Sequence, residues 1–157
     1  MRQFEKVAKQ HIKYNNFNVK LPARATAHSV GYDFYSPIEC VIKQNETKLI
    51  FTNVKAKFNF NEALILSSTS GMGKKGIILA NGIGVVECDY YGNKDNDGNI
   101  GFMLHNQLEN DYIINIDDKI GQGFFINYLT VDNEKEVITQ RVGGFGSTNK
   151  TIKNINN

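Results

Sequence analysis

The chain has 157 residues, of which 41% are hydrophobic and 22% are charged. This length suits one domain that buries most of its surface, with no room for a second core of similar size, so we expect a single domain over residues 1–157. The net charge is only +2, and no basic run is interleaved with aromatic residues. Charge and pattern therefore argue against a nucleic-acid-binding protein.

The start of the chain and its cysteines bear on the cellular compartment. The first residues, MRQFEKVAKQHIK, are charged where a signal peptide needs an apolar core, and Cys40 and Cys88 lack metal-ligand spacing. Apolar stretches such as ALIL at residues 63–66 are far shorter than a membrane span. We expect a cytoplasmic protein with reduced thiols and no membrane association.

Short β-rich runs recur between turn signals along the chain. No window combines a sustained 3.6-residue apolar period with helix formers and caps, so we expect at most one short helix. The rhythm predicts an all-β fold, a sandwich or barrel of antiparallel strands. The runs are CVIK from Cys40, TKLIFTNV from Thr47, ALIL from Ala63, GIIL from Gly76, IGVVE from Ile83, NIGFML from Asn99, YIINI from Tyr112 and GFFINYL from Gly123.

The segment STSGMGKKG, residues 68–76, is rich in glycine and hydroxyl groups. Successive backbone N–H groups in such a segment can form a nest that binds a phosphate chain. It is not a Walker A loop, because that motif needs GxxxxGK followed by Ser or Thr. A plain surface turn is the alternative interpretation of this segment.

The segment YGNKDNDGN, residues 91–99, has the Asn, Asp and Gly content of a hairpin tip. It predicts that IGVVECDY before it and NIGFML after it are paired antiparallel strands. On such a strand Glu87 and Asp89 share a face, since side chains alternate with period two. Two carboxylates on one face can hold a metal or act as base and partner, although a solvated acidic strand is the plainer interpretation.

Acidic side chains are concentrated in the same part of the chain. Residues 87–118 hold eight acidic side chains against one lysine, whereas residues 1–24 hold six basic side chains against one acidic. An acidic stretch of this kind marks solvated hairpins or holds a divalent cation. The sequence leaves both interpretations open.

The C-terminal stretch, at about residues 137–157, is predicted to be a mobile arm because it has too few apolar side chains to bury itself. Within it, Phe145 stands alone between glycines in the run RVGGFGST. This aromatic side chain has no local core to enter. A ligand or another subunit is therefore its natural acceptor.

Five segments, taken together and in this order, resemble the motifs of the trimeric dUTPase family, especially its phage and Gram-positive bacterial members. The resemblance implies hydrolysis of dUTP to dUMP and pyrophosphate by attack of water on the α-phosphorus, with Mg²⁺ bridging the phosphates and a carboxylate as base. It also implies a jelly-roll-like β-barrel, and a homotrimer in which the arm of one subunit closes over a site formed by the other two. The segments are ATAHSVGYDFYS (25–36), STSGMGKKG (68–76), NGIGVVECDYYGN (81–93), KIGQGFF (119–125) and RVGGFGSTN (141–149).

The same resemblance implies a role for each matching residue. Glu87 stands at the position of the general base, and Tyr90 at that of the aromatic residue that packs against deoxyribose and excludes a 2′-hydroxyl. Phe145 stacks on uracil, while Asp33 is structural or lies in the outer shell of a metal held mainly by the substrate phosphates. Walls that read the uracil edge are implied for Asn81, Gly84, Val85, Val86 and the backbone at Gly101. Phosphate contacts are implied for Ser70, Gly71, Gln122, Arg141, Gly146 and Ser147, with Thr69 at a further phosphate position.

Two of these positions depart from the family pattern. The family's base is usually an aspartate, so Glu87 carries its carboxylate on a longer side chain, and a misplacement of about 1 Å can cost roughly 10²-fold in rate. Thr69 stands where the family has a phosphate-pairing arginine, and a neutral hydroxyl cannot supply that contact. Lys74 or Lys75 can compensate for the missing charge.

These departures keep a second function open, that of a dUTPase-like protein that binds nucleotide or a regulatory partner and turns over poorly. A third, dCTP deaminase, is disfavoured by the residues after the predicted hairpin. Its catalytic glutamate belongs in a strand where this chain has Phe102, Met103 and Leu104.

Overall fold

The computed structural model describes residues 1–15, 18–135, 141, 143 and 144. Within these ranges the chain forms twelve β-strands, one five-residue α-helix and two short 3-10 turns, which confirms the all-β prediction with at most one short helix. The strands are β1 (Gln3–Lys6), β2 (Ala23–Arg24), β3 (Tyr32–Tyr35), β4 (Cys40–Ile42), β5 (Thr47–Phe51), β6 (Val54–Lys57), β7 (Glu62–Ser67), β8 (Ile77–Leu79), β9 (Gly84–Glu87), β10 (Gly101–Asn106), β11 (Tyr112–Ile114) and β12 (Lys119–Asn127). The helix is α1 (Ser70–Lys74), and the 3-10 turns span Lys9–His11 and Cys88–Tyr90.

Alternation of buried and exposed side chains explains why these segments are strands. In β10, Phe102, Leu104 and Asn106 are buried, and the residues between them are half-exposed. This period of two is the pattern of a strand with one face on the core. Each of the eight predicted runs contains a strand, while β1, β2 and β3 were not predicted. The run from Thr47 covers β5 and only the first residue of β6, and Asn53, with a φ of 59°, breaks the extended backbone between the two strands.

The strands form four antiparallel sheets. The largest has the order β2-β3-β12-β7-β9, and a second has the order β5-β10-β8. The remaining sheets are the pairs β1-β6 and β11-β4. In the largest sheet β9 is an edge strand, with its backbone paired to β7 on one side. That placement leaves the other side of β9 open to line a hollow.

The predicted hairpin between β9 and β10 is wrong. β9 pairs with β7, and β10 pairs with β5 and β8 in a different sheet. The segment between them is a loop closed on itself by asparagine side chains rather than a tight turn. Asn93 donates from Nδ2 to the Tyr90 carbonyl at 2.7 Å, and its Oδ1 accepts from the Asn96 N–H at 3.0 Å. Gly98, with φ of 85°, lets the loop return against the Tyr90 carbonyl, where a Cβ would stand 2.8 Å away.

A single hydrophobic cluster lies between the sheets. The rings of Phe34 on β3 and Phe102 on β10 are fully buried, with centroids 5.2 Å apart, and they join the two largest sheets. Ile42 and Ile114 bring the β11-β4 pair into the same cluster. Burial of these apolar surfaces is the main stabilising contribution to the fold. No helix in the described ranges is long and apolar enough to span a membrane.

Candidate functional site

One hollow lies beside the open edge of β9, and we call it the β9 hollow. Its volume is about 180 Å³. Eight residues that the sequence implied for the site meet there, although they are spread over 61 positions of the chain from Asn81 to Arg141. They are Asn81, Gly84, Val85, Val86, Glu87, Tyr90, Gly101 and Arg141, and the lining is completed by Leu66, Ile100 and Gly144.

The three additional lining residues were missed by the sequence analysis. Leu66 lies opposite Gly84 in the β7-β9 register, so its contribution depends on a strand pairing that the sequence did not indicate. A Cβ at Gly84 would stand 3.0 Å from the Leu66 Cβ, so the absence of a side chain there lets the two strands close up. Gly144 adjoins Phe145 in the arm motif, and that proximity is the one signal that could have found it.

Tyr90 forms a rigid wall of the β9 hollow. Its side chain is 7% exposed, and its hydroxyl donates to the Asn99 carbonyl at 3.0 Å while it accepts from Asn96 Nδ2 at 2.6 Å. Burial raises the pKa of this phenol, so the ring stays neutral. Both hydrogen bonds hold the phenolic oxygen at the tip of the ring. The ring is also close to Gly144, where a Cβ would stand 2.7 Å from Cε2.

Glu87 and Asp89 both contact the guanidinium group of Arg141 at the mouth of the β9 hollow. Arg141 Nη2 lies 3.1 Å from Glu87 Oε2, and its Nε donates to Asp89 Oδ1 at 2.8 Å. The chain leaves β9 at Glu87 and enters the 3-10 turn that contains Asp89, so strand alternation is not what brings the two carboxylates together. Arg141 therefore contacts carboxylates in this structure, and its implied contact with phosphate stays a prediction.

A second hollow lies on the outer face of β3 and β12, and we call it the β3–β12 hollow. Its volume is about 550 Å³. Gln122 lines it and donates from Nε2 to the Ser68 carbonyl at 3.1 Å. Gly31 lies beside this side chain, and a Cβ there would require the Gln122 amide to move. The full lining is Ala25, Ser29, Val30, Gly31, Asp33, Thr69, Ser70, Gly71, Lys119 and Gln122.

The implied site residues are thus divided between two places on one chain. Among the described residues, those implied for the base, the sugar and the catalytic carboxylate line the β9 hollow, and those implied for the phosphate chain line the β3–β12 hollow, apart from Arg141. The two linings have no residue in common. Phe145, Gly146 and Ser147 lie outside the described residues.

Comparison with known proteins identifies the family of this chain. The sequence profile of the dUTPase family matches residues 18–149. The chain belongs to the dUTPase family. It is 36% identical over 150 residues to the deoxyuridine 5'-triphosphate nucleotidohydrolase of Lactococcus lactis subsp. lactis (strain IL1403), covering 94% of this chain and 97% of the relative.

Solved structures of the dUTPase family agree with the fold. The crystal structure of dUTPase from Streptococcus mutans is 32% identical, with a TM-score of 0.71, covering 83% of this chain and 98% of that one. A second solved structure is the dUTPase from phage phi11 of S. aureus, which is 20% identical, with a TM-score of 0.70. The match covers 88% of this chain and 97% of the phage chain, and at this identity it supports the fold alone. The jelly-roll-like all-β fold expected from the sequence is confirmed.

Thr69 stands where the resemblance implies an arginine, and in the structure its side chain has a different role. Its hydroxyl accepts from the Met72 N–H at 3.2 Å and caps α1. Loss of such a cap typically costs about 0.5–2 kcal/mol. Restoring an arginine at this position would therefore remove a contact that shapes the Ser70–Gly71 turn.

Asp33 pairs with a lysine in the structure. Its Oδ2 lies 2.6 Å from Lys119 Nζ, and its side chain is 11% exposed. An ammonium group thus compensates the carboxylate where the sequence analysis allowed an outer-shell metal role, and that role stays a prediction. No three His, Cys, Asp or Glu side chains come close enough to form a metal site in the part of the chain that the structure describes.

Proposed function

We propose that the chain hydrolyses dUTP to dUMP and pyrophosphate by attack of water on the α-phosphorus. The observation that supports this best is the β9 hollow, where the eight implied residues meet around one opening. Uracil would lie against the backbone of β9 and Gly101, which can read its edge by hydrogen bonds and exclude a 5-methyl group by shape. Deoxyribose would pack on Tyr90, whose fixed ring leaves no space for a 2′-hydroxyl.

Glu87 would act as the general base. Its side chain is 49% exposed at the mouth of the hollow, so water can reach it. The carboxylate would take a proton from the water as that water attacks phosphorus, which is the usual work of such a base. Arg141 holds the carboxylate in the free chain and would release it as the arginine turns to the phosphates. Phe145, Gly146 and Ser147 of the arm would then close over uracil and the terminal phosphates.

Mg²⁺ is proposed as the cofactor, held mainly by the substrate phosphates. When bound it neutralises charge on the triphosphate. Asp33, the residue implied for the outer shell of this metal, lies 2.6 Å from Lys119 Nζ, so its carboxylate could reach the ion only through water. Ser70, Gly71 and Gln122 would orient the phosphate chain.

We also propose that the protein acts as a cytoplasmic homotrimer, with each site built from more than one subunit. Ligand pockets commonly have volumes of about 300–1,000 Å³. The β9 hollow, at about 180 Å³, accommodates only part of a nucleoside triphosphate. Because the residues implied for phosphate line a different hollow, the β3–β12 hollow of a neighbouring subunit is the natural source of the rest of the site.

Release of pyrophosphate from dUTP in the presence of Mg²⁺ tests the activity. We expect turnover of dUTP, and much slower turnover of UTP and dTTP, because Tyr90 and the β9 backbone exclude the 2′-hydroxyl and the 5-methyl group. Removal of Mg²⁺ with a chelator should lower the rate, and adding it back should restore the rate. Tight binding of a non-hydrolysable dUTP analogue without any turnover would favour the nucleotide-binding alternative over the enzyme.

Complementation between two variants tests the shared site. Glu87→Gln damages the β9 hollow, and Ser70→Glu places a negative charge at the exposed rim of the β3–β12 hollow. Each variant alone should lose most activity, whereas co-expressed chains should regain part of it, because some sites in mixed oligomers combine two intact hollows. Mixed oligomers that remain as inactive as the two parents would contradict a site shared between subunits.

A further inference from the structure

Lys119 stands at the boundary of two hollows that adjoin Thr69. It lines the β3–β12 hollow and also a neighbouring hollow formed with Thr69, Gly71, Met72, Lys75, Tyr112 and Asp118. Among the residues that line the larger of the two, Asp33 and Lys119 are the ones with charged side chains. Within the described lining, Lys119 is thus the cation available to a polyphosphate that enters there.

The position of this cation is set by its partner. Asp33 lies within β3, directly opposite Gln122 of β12, and its carboxylate is nearly buried. Lys119 begins β12 next to a register shift, and its side chain is 50% exposed. The Asp33 carboxylate thus lies 2.6 Å from the ammonium group of Lys119, and Lys119 lines the hollow. An ammonium group has three N–H donors, so at least one remains for an anion.

Lys75 is less well placed for the same task. Its Nζ lies 3.4 Å from the Tyr112 hydroxyl and 5.6 Å from the centre of that ring. This lysine lines the neighbouring hollow and is absent from the lining of the larger one. Lys74, the other candidate from the sequence, lines neither.

We propose that Lys119, positioned by Asp33, supplies the positive charge for the β- and γ-phosphates of the nucleotide at the Thr69–Gly71 turn. This inference rests on the proposed function. In this inference Lys119, the first residue of β12, supplies the positive charge that an arginine at position 69 would supply. Asp33 is then the residue that positions Lys119. The pKa of Lys119 is raised, first by its hydrogen bond to Asp33 and then by the charge of that carboxylate, so the lysine stays cationic across the neutral pH range.

Binding measurements on variants of the full-length chain test the assignment. The dissociation constants of dUMP and of a non-hydrolysable dUTP analogue would be measured for the wild type, Lys119→Met and Lys119→Arg. Hydrogen bonds to charged groups contribute enough to predict a roughly ten- to hundredfold loss of analogue affinity in Lys119→Met. Binding of dUMP should change far less, because it lacks the β- and γ-phosphates. Lys119→Arg should keep most of the analogue affinity.

Three further variants sharpen the result. Lys43→Met removes an exposed charge on the turn after β4, and it should leave both affinities unchanged. Lys75→Met should behave in the same way, and a selective loss of analogue affinity in that variant would move the assignment to Lys75. Asp33→Asn should raise the KM for dUTP more than it lowers kcat, with partial rescue by Asp33→Glu.

Two further outcomes would overturn the proposal. One is a Lys119→Met protein that binds the analogue as tightly as the wild type. The other is an equal loss of dUMP and analogue affinity, which would mean that Lys119 supports the fold rather than the phosphates. Failure of the wild type itself to bind the analogue would count instead against the proposed function.

Discussion

Replacement of Glu87 by glutamine should lower kcat for dUTP by about 10²–10⁴-fold, the usual contribution of a positioned general base. The amide is close to the carboxylate in shape but cannot accept the proton of the attacking water. Glu87 is the terminal residue of β9 and is half-exposed, so the substitution should leave folding unaffected. Single-turnover hydrolysis and analogue binding would be measured together, and the affinity should stay within a few-fold of the wild type.

Two further variants separate the chemical group from its placement. Glu87→Asp retains a carboxylate, so we expect it to keep more activity than Glu87→Gln. Asp89→Asn is the matched control, because Asp89 is 55% exposed and contacts the same arginine, Arg141, at 2.8 Å. It should lose much less activity than Glu87→Gln. A severe loss in Asp89→Asn with a mild one in Glu87→Gln would assign the base to Asp89.

Introduction of a methyl group at Gly121 should lower the free energy of unfolding by about 1–3 kcal/mol, as overpacking of a core typically does. A Cβ at this position of β12 would overlap the Phe102 ring. That ring is fully buried and lies against Phe34, so it has no free space into which to move. Urea unfolding at one fixed protein concentration would measure the change, since association adds to apparent stability.

A double-mutant cycle tests the cause of that loss. Phe102→Leu shortens the side chain that the new methyl group would meet, so Gly121→Ala should cost less in the Phe102→Leu background than in the wild type. Contacting residues typically show coupling of about 0.5–3 kcal/mol. Gly73→Ala is the matched control, because a Cβ there has no neighbouring atom within 4 Å. Additive losses in the cycle would show that steric overlap with Phe102 is not the reason.

The sequence predicted most of the residues that gather in the β9 hollow, but it could not predict how they are brought together. The motif around residues 81–93 indicated the family through its residue types and order. Its strand partner, β7, lies earlier in the chain, from Leu66 paired with Gly84 to Ala63 paired with Glu87, and this register is a non-local contact. Turn composition favoured the nearby β10 instead. That prediction was wrong because the loop between β9 and β10 is closed by hydrogen bonds from the Asn93 side chain to the loop's own backbone.

The role of charged side chains was the least accessible to sequence reasoning. The Arg141 contacts with Glu87 and Asp89 join residues more than 50 positions apart, and the Asp33–Lys119 pair joins residues 86 positions apart. No periodic pattern encodes such distances. Thr69 illustrates the same point. The sequence analysis treated it only as the loss of a phosphate-pairing arginine, whereas the structure shows its hydroxyl capping α1.

The sequence by itself determined the all-β class, the positions of the main strands and membership of the dUTPase family. These depend on local alternation of apolar residues and on short motifs, both of which can be read along the chain. Tertiary structure alone decided which strands pair and which charged side chains contact each other. It also decided that the described site residues occupy two separate hollows. The physical reason is that sheet pairing and ion pairing depend on the packing of distant segments, which is selected by burial of the whole core.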